Sequence, residues 1–188
     1  MAEILLLHHA QGLTPGCLAF ADGLRAARHV VHTPDLYDGK TFAELDDGIG
    51  YAREVGFDTV QERGVRASDA LPDEMVYAGM SLGAMPAQML AQTRPGAKGA
   101  VLLHASVPPS EFGGPWPQGV PLQIHTMDDD ELGDADVARE LAETIEDAQV
   151  FLYPGDRHLF TDSSLPAYDE AATSLVMQRV LAFLDGIE

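Results

Sequence analysis

Six short stretches read as β-strands: Ile4–His8, His29–Thr33, Met75–Ala78, Ala100–His104, Leu122–Thr126 and Val150–Tyr153. Several are apolar on successive residues instead of alternating, the pattern of strands covered on both faces. Between them lie segments with helical periodicity and start signals. Thr14 precedes Pro15, a cap followed by proline at the first helical position. Thr41-Phe-Ala-Glu44 has the form of a capping box, and Asp58 is placed to cap the next helix. Leu82 to Gln92 forms another helix. Asp136 to Glu146 carries Val137, Leu141 and Ile145 at helical spacing. The last helix starts near Asp169 and carries Leu175, Val176, Val180, Leu181 and Leu184.

Strands alternating with helices imply a mostly parallel sheet with helices on both faces. The expected architecture is therefore a three-layer α/β domain over residues 1–188 with a six-stranded sheet. In such sheets ligands bind beyond the carboxyl ends of the strands.

Composition narrows the partners. The formal charge of −19 argues against nucleic acid and against an anionic membrane surface. The single cysteine, Cys17, allows no internal disulfide. The N-terminus lacks a basic start and a long apolar run, and no later segment is apolar enough to span a bilayer. These features lead us to expect a soluble cytoplasmic protein with a small-molecule substrate. They assign no oligomeric state.

Chemistry gathers at the strand ends. The third strand runs into Gly79-Met80-Ser81-Leu82-Gly83, and a helix follows at once. This G-x-S-x-G sequence between strand and helix is the form of a nucleophile elbow. Small flanking residues permit a tight turn that lifts the serine hydroxyl above the sheet. The Leu82 amide, at the start of the helix, points to where an oxyanion would form. A serine needs a base, and His158, in the loop after the sixth strand, is the candidate. An acid that orients the imidazole is expected after the fifth strand, where Asp128, Asp129 and Asp130 compete. The chain order is then serine, acid, histidine. Ala10, after the first strand, is the candidate for the second oxyanion amide. His9 beside it, Tyr37 after the second strand and Trp116 in the loop from Ala105 to Gly119 are candidates for the substrate pocket.

Four segments together resemble the dienelactone hydrolase family of α/β-hydrolases. They are Pro34-Asp35-Leu36-Tyr37, Gly79-Met80-Ser81-Leu82-Gly83-Ala84, His125-Thr126-Met127-Asp128-Asp129-Asp130, and Tyr153-Pro154-Gly155-Asp156-Arg157-His158-Leu159-Phe160. The resemblance implies a minimal α/β-hydrolase without a lid domain. It singles out Asp130 as the acid and places the oxyanion amide at Ala10, because Gly12 matches the glycine of the family's oxyanion loop. The sequence departs from the family's namesakes in three ways. Ser81 stands where they have a cysteine, His9 replaces an acidic residue on the oxyanion loop, and Leu159-Phe160-Thr161-Asp162 lacks their carboxylate-binding arginine. The expected substrate is accordingly a neutral or cationic ester, lactone or thioester, or a small amide, with no metal or organic cofactor. Two other readings compete: a non-catalytic binding protein of the same fold, and a metal site built from His9, His104 and His125 at the strand ends.

Overall fold

The computed structural model describes residues 1–187. The elements alternate as the apolar pattern requires. They are β1 (Glu3–Leu7), α1 (Pro15–Ala26), β2 (Val30–His32), α2 (Leu45–Val55), α3 (Phe57–Arg66), β3 (Val76–Met80), α4 (Ala84–Thr93), β4 (Gly99–Leu103), β5 (Leu122–Met127), α5 (Ala135–Thr144), β6 (Ala148–Tyr153) and α6 (Glu170–Asp185). The strands form one sheet in the order β2-β1-β3-β4-β5-β6, with every neighbouring pair parallel. No lid interrupts it: the connection from β4 to β5 holds only a short 3₁₀ turn at Pro109–Phe112.

The consecutive apolar residues of β1 are explained by two helix layers. Ile4 and Leu6 face the side covered by α1 and α6, where they meet Phe20, Leu24, Val176 and Val180. Leu5 and Leu7 face the side covered by α2 to α5, among Val60, Ala87, Leu90 and Leu141. Period-2 alternation of the side chains then buries every residue of a central strand, as in β3 and β4.

Two helix starts follow their caps. The Thr14 hydroxyl accepts from the Cys17 amide, and the Asp169 carboxylate accepts from the Ala172 amide. Three starts differ from the sequence reading. α2 begins after Glu44 with no side-chain cap, so the Thr41–Glu44 capping box does not form. The cause is tertiary: the Phe42 amide donates to the Gln11 carbonyl, and the Gln11 side chain donates to the carbonyls of Phe42 and Ala43. Those bonds hold residues 42–43 against the loop after β1, in place of a helical turn. At α3, Gly56 (φ 96°) occupies the cap position and Asp58 lies inside the first turn. There its charge still suits the helix dipole. At α5 the helix begins at Ala135, one residue before the expected start at Asp136, with Asp134 in the cap position.

Candidate active site

β3 delivers Ser81 at its carboxyl end with φ 49°, in the left-handed region that non-glycine residues avoid. Ser81–Gly83 make one 3₁₀ turn and α4 begins directly at Ala84. The turn closes because two residues have no side chain. A Cβ on Gly79 would overlap the Gly83 carbonyl and lie 2.7 Å from the Ala84 Cα. A Cβ on Gly83 would overlap the Leu7 carbonyl and lie 2.6 Å from the His8 carbonyl oxygen. The elbow is thus pressed onto its own strand and onto β1.

Two further strand ends meet it. The Ser81 hydroxyl donates to His158 Nε2 at 2.8 Å, and His158 Nδ1 donates to Asp130 Oδ2 at 2.7 Å. The His158 and Asp130 side chains are 10% and 3% exposed, so the pair is shielded while the ring edge stays reachable. The other carboxylate oxygen of Asp130 accepts from the Leu132 amide at 3.0 Å, which fixes the group's plane. Asp128 and Asp129 are exposed, and Asp128 accepts from the Gly155 amide. Of the three aspartates, Asp130 is the one joined to the histidine.

Parallel pairing of Leu7 with Gly79 sets the chain after β1 beside the elbow. Ala10 lies in that loop, and its amide has no protein acceptor among the described residues. Leu82 is the second residue of a 3₁₀ turn, so its amide has no acceptor within that turn. Beside Asp130 runs a groove of about 330 Å³ lined by Asp128, Asp129, Glu131, Asp134 and Asp136 and by one cation, Arg139. Burial, and next the charge of Asp130, holds the Asp134 carboxyl above its ordinary value.

The sequence profile of the dienelactone hydrolase family matches residues 2–187. The chain belongs to the dienelactone hydrolase family. Solved structures agree in fold. A dienelactone hydrolase-like promiscuous phosphotriesterase from metagenomic libraries superposes with a TM-score of 0.75 at 19% identity, over 100% of this chain and 87% of that one. A dienelactone hydrolase from Anabaena variabilis gives 0.68 at 17% identity, over 100% and 88%. The mouse alpha/beta hydrolase domain-containing protein 10 gives 0.72 at 14% identity, over 97% and 89%. No curated protein matches the sequence.

In this member of the dienelactone hydrolase family, the three residues expected to line a substrate pocket do other work. Tyr37 is fully buried, with its ring edge-on to His8, Phe42 and Tyr51 at centroid separations of 5.1, 6.2 and 4.9 Å. Trp116 lines a groove of about 460 Å³ with Pro115, Val120, Ile145 and Asp147. Those residues precede β5 and β6, so the groove opens at the amino ends of the strands, opposite the elbow. The indole N–H donates to the Val120 carbonyl at 2.6 Å. His9 is also fully buried, and its Nε2 donates to Asp162 Oδ2 at 2.7 Å.

The histidines of the strand ends do not converge. His104 bonds Thr161 at 2.7 Å, while His125 lies between Gln123 and Tyr153 at 2.8 Å to each. Burial keeps both neutral, pushing His125 down to about 3. Among the described residues, one group has potential metal-ligand atoms mutually within 4.8 Å: His9, Cys17 and Asp162. Hydrogen bonds already engage its imidazole and carboxylate.

Asp162 is the polar residue that spacing does not reveal. Its carboxylate is fully buried and accepts from His9, from the Thr14 hydroxyl, and from the Ser164 amide and hydroxyl at 2.8 and 2.6 Å. Burial opposes its charge, but the bonds from His9, Ser164 and Thr14 prevail and lower it from 3.8 to about 2. At His9 burial disfavours the cation, while contact with Asp162, and next with Cys17, favours it. Against that, the Gln11 amide donates to His9 Nδ1 at 3.2 Å and needs a lone pair there. The geometry is therefore that of a neutral ring with its hydrogen on Nε2, and Asp162 carries the pH dependence. A carboxyl depressed on folding stabilises above its unfolded pKa, and that stability disappears as pH falls through the folded value. Thermal melts should show the wild type losing stability from pH 3.8 towards 2 more steeply than Asp162→Asn. Equal slopes would contradict the assignment.

Proposed function

We propose that the chain is a serine hydrolase that cleaves a small ester, lactone or thioester through an acyl-enzyme on Ser81. One observation carries the reading: the continuous path from Ser81 Oγ to His158 to Asp130, with links of 2.8 and 2.7 Å. The proton on His158 Nδ1 is committed to Asp130, which leaves the Nε2 lone pair facing the serine hydroxyl. His158 takes the hydroxyl proton as Ser81 attacks the acyl carbon. The charge that develops on the carbonyl oxygen meets the amides of Ala10 and Leu82. The imidazolium, stabilised by Asp130, then protonates the leaving oxygen or sulfur. A water molecule, deprotonated by the same ring, releases the acid and restores Ser81.

The charge distribution favours a neutral or cationic substrate. The groove beside Asp130 is lined with carboxylates, and the chain carries a formal −19. An anion would meet repulsion at long range. Arg157, the cation beside His158, donates to the Tyr168 carbonyl and stands 3.9 Å from Asp169, so it is already engaged.

A fluorophosphonate probe should add one adduct to the folded protein, mapped to Ser81 by peptide mass. Turnover should appear on a panel of short-chain aryl esters, lactones and thioesters. The panel should include a neutral phosphotriester, the substrate type of one structural relative. Absence of both adduct and turnover would overturn the hydrolase reading and leave a non-catalytic member of the fold.

A further inference from the structure

Two consecutive residues in the loop after His158 are buried although both are polar. Thr161 and Asp162 are 2% and 0% exposed. Thr161 bonds His104, which follows β4, and Asp162 bonds His9, which follows β1. In the sheet β1 and β4 are the two neighbours of β3, the strand that carries Ser81. The loop bearing the base is therefore tied down on both sides of the nucleophile.

The tie to β1 reaches further. The His9 ring donates to Asp162 through Nε2 and accepts from the Gln11 amide through Nδ1. These bonds span Ala10, the residue whose amide is the oxyanion candidate. The Asp162 carboxylate also packs on the start of α1, where a Cβ at Gly16 would overlap it and where Thr14 donates to it. Buried, charged and held by donors from His9, Thr14 and Ser164, this carboxylate has little freedom to shift.

We infer that Asp162 and His9 are positioning residues that fix the oxyanion amide of Ala10 relative to the base His158. The inference rests on the hydrolase reading above. Neither side chain touches the reacting atoms. Their loss displaces two groups that act together in the transition state and leaves ground-state binding largely intact, so the effect should fall on kcat.

The test compares Asp162→Ala and Asp162→Asn with Leu141→Ala, a buried change in the opposite core that serves as a stability control. Asp162→Ala should lower kcat about 100-fold with KM within about two-fold. The asparagine keeps an acceptor for His9 and should recover kcat to within roughly ten-fold of wild type. Leu141→Ala, assayed well below its melting temperature, should keep wild-type kcat despite lower stability. The proton on His158 Nδ1, read by NMR as a downfield resonance, should weaken in Asp162→Ala and persist in Asp162→Asn. This signal needs no substrate, so it tests the positioning even if the wild type turns over nothing. Should Asp162→Ala not fold, His9→Ala cuts the same tie from the β1 side and should lower kcat at least about ten-fold, with the same weakened resonance. An unchanged resonance with kcat within three-fold of wild type, or an equal kcat loss in Leu141→Ala, would reduce the pair to a purely structural role.

Discussion

Ser81→Ala is expected to lower kcat for ester cleavage by roughly five orders of magnitude while leaving the melting temperature within about 2 °C of wild type. The two readouts separate because the hydroxyl does one job. In the proposed mechanism it is the attacking atom, and in the structure it bonds His158 Nε2. The strained φ of 49° at this position belongs to the backbone and is the same for serine and alanine. Removing a part-buried hydroxyl whose partner ring reaches solvent changes stability by about 0.5 kcal/mol or less. The members of a triad act as a unit, so Ser81→Ala/His158→Ala should be no slower than the single variants. A chromogenic ester assay with active-site titration, which excludes wild-type contamination, would measure this. A loss under ten-fold would mean that cleavage occurs elsewhere.

That experiment addresses the part of the site that spacing alone made visible. The elbow is legible because its constraint is local. Gly79 and Gly83 flank the serine within one turn, and the steric demand that selects them acts between neighbouring residues. The sheet is legible for a similar reason, since an apolar run such as Leu5-Leu6-Leu7 can be solvated on neither face. Asp130 could be singled out only through the family resemblance, because three adjacent aspartates are chemically equal until one meets His158 at 2.7 Å.

The rest depended on contacts between distant positions. His9 and Asp162 are 153 residues apart, and nothing in either neighbourhood announces the other. His9 therefore read as a pocket residue, although burial against Asp162 removes it from any substrate. Tyr37 and Trp116 failed for a related reason. An aromatic residue in a loop looks available until its partners are known. The rings of His8, Phe42 and Tyr51 enclose Tyr37, and the Val120 carbonyl takes the indole N–H of Trp116. The capping box at Thr41–Glu44 lost to Gln11, whose side chain captures the carbonyls that would have begun the helix. At the capping box, tertiary hydrogen bonds overrode a local preference worth about 1 kcal/mol.

The second large effect is on stability and concerns Gly83. Its φ is −69°, so any residue could adopt its backbone conformation, and only space forbids a side chain. A Cβ there would meet the carbonyls of Leu7, the last residue of β1, and of His8 just after it, with the His8 oxygen at 2.6 Å. Neither obstacle is a flexible side chain that could turn aside. Leu7 is paired with Gly79 in the sheet, and His8 is held by its own bonds to the His9 carbonyl and the Leu36 amide. Gly83→Ala must therefore push the elbow off β1 or spread two hydrogen-bonded strands. We expect a cost of about 3 kcal/mol or more, which for a chain of this size lowers the melting temperature by roughly 6–12 °C. Gly114→Ala is the matched control: a Cβ there meets nothing within 4 Å, and it should melt within about 2 °C of wild type. Differential scanning calorimetry of the two variants decides the point. A Gly83→Ala protein as stable as Gly114→Ala would show that the elbow does not sit against β1. The Leu82 amide, the proposed oxyanion donor, would then lose the framework that positions it.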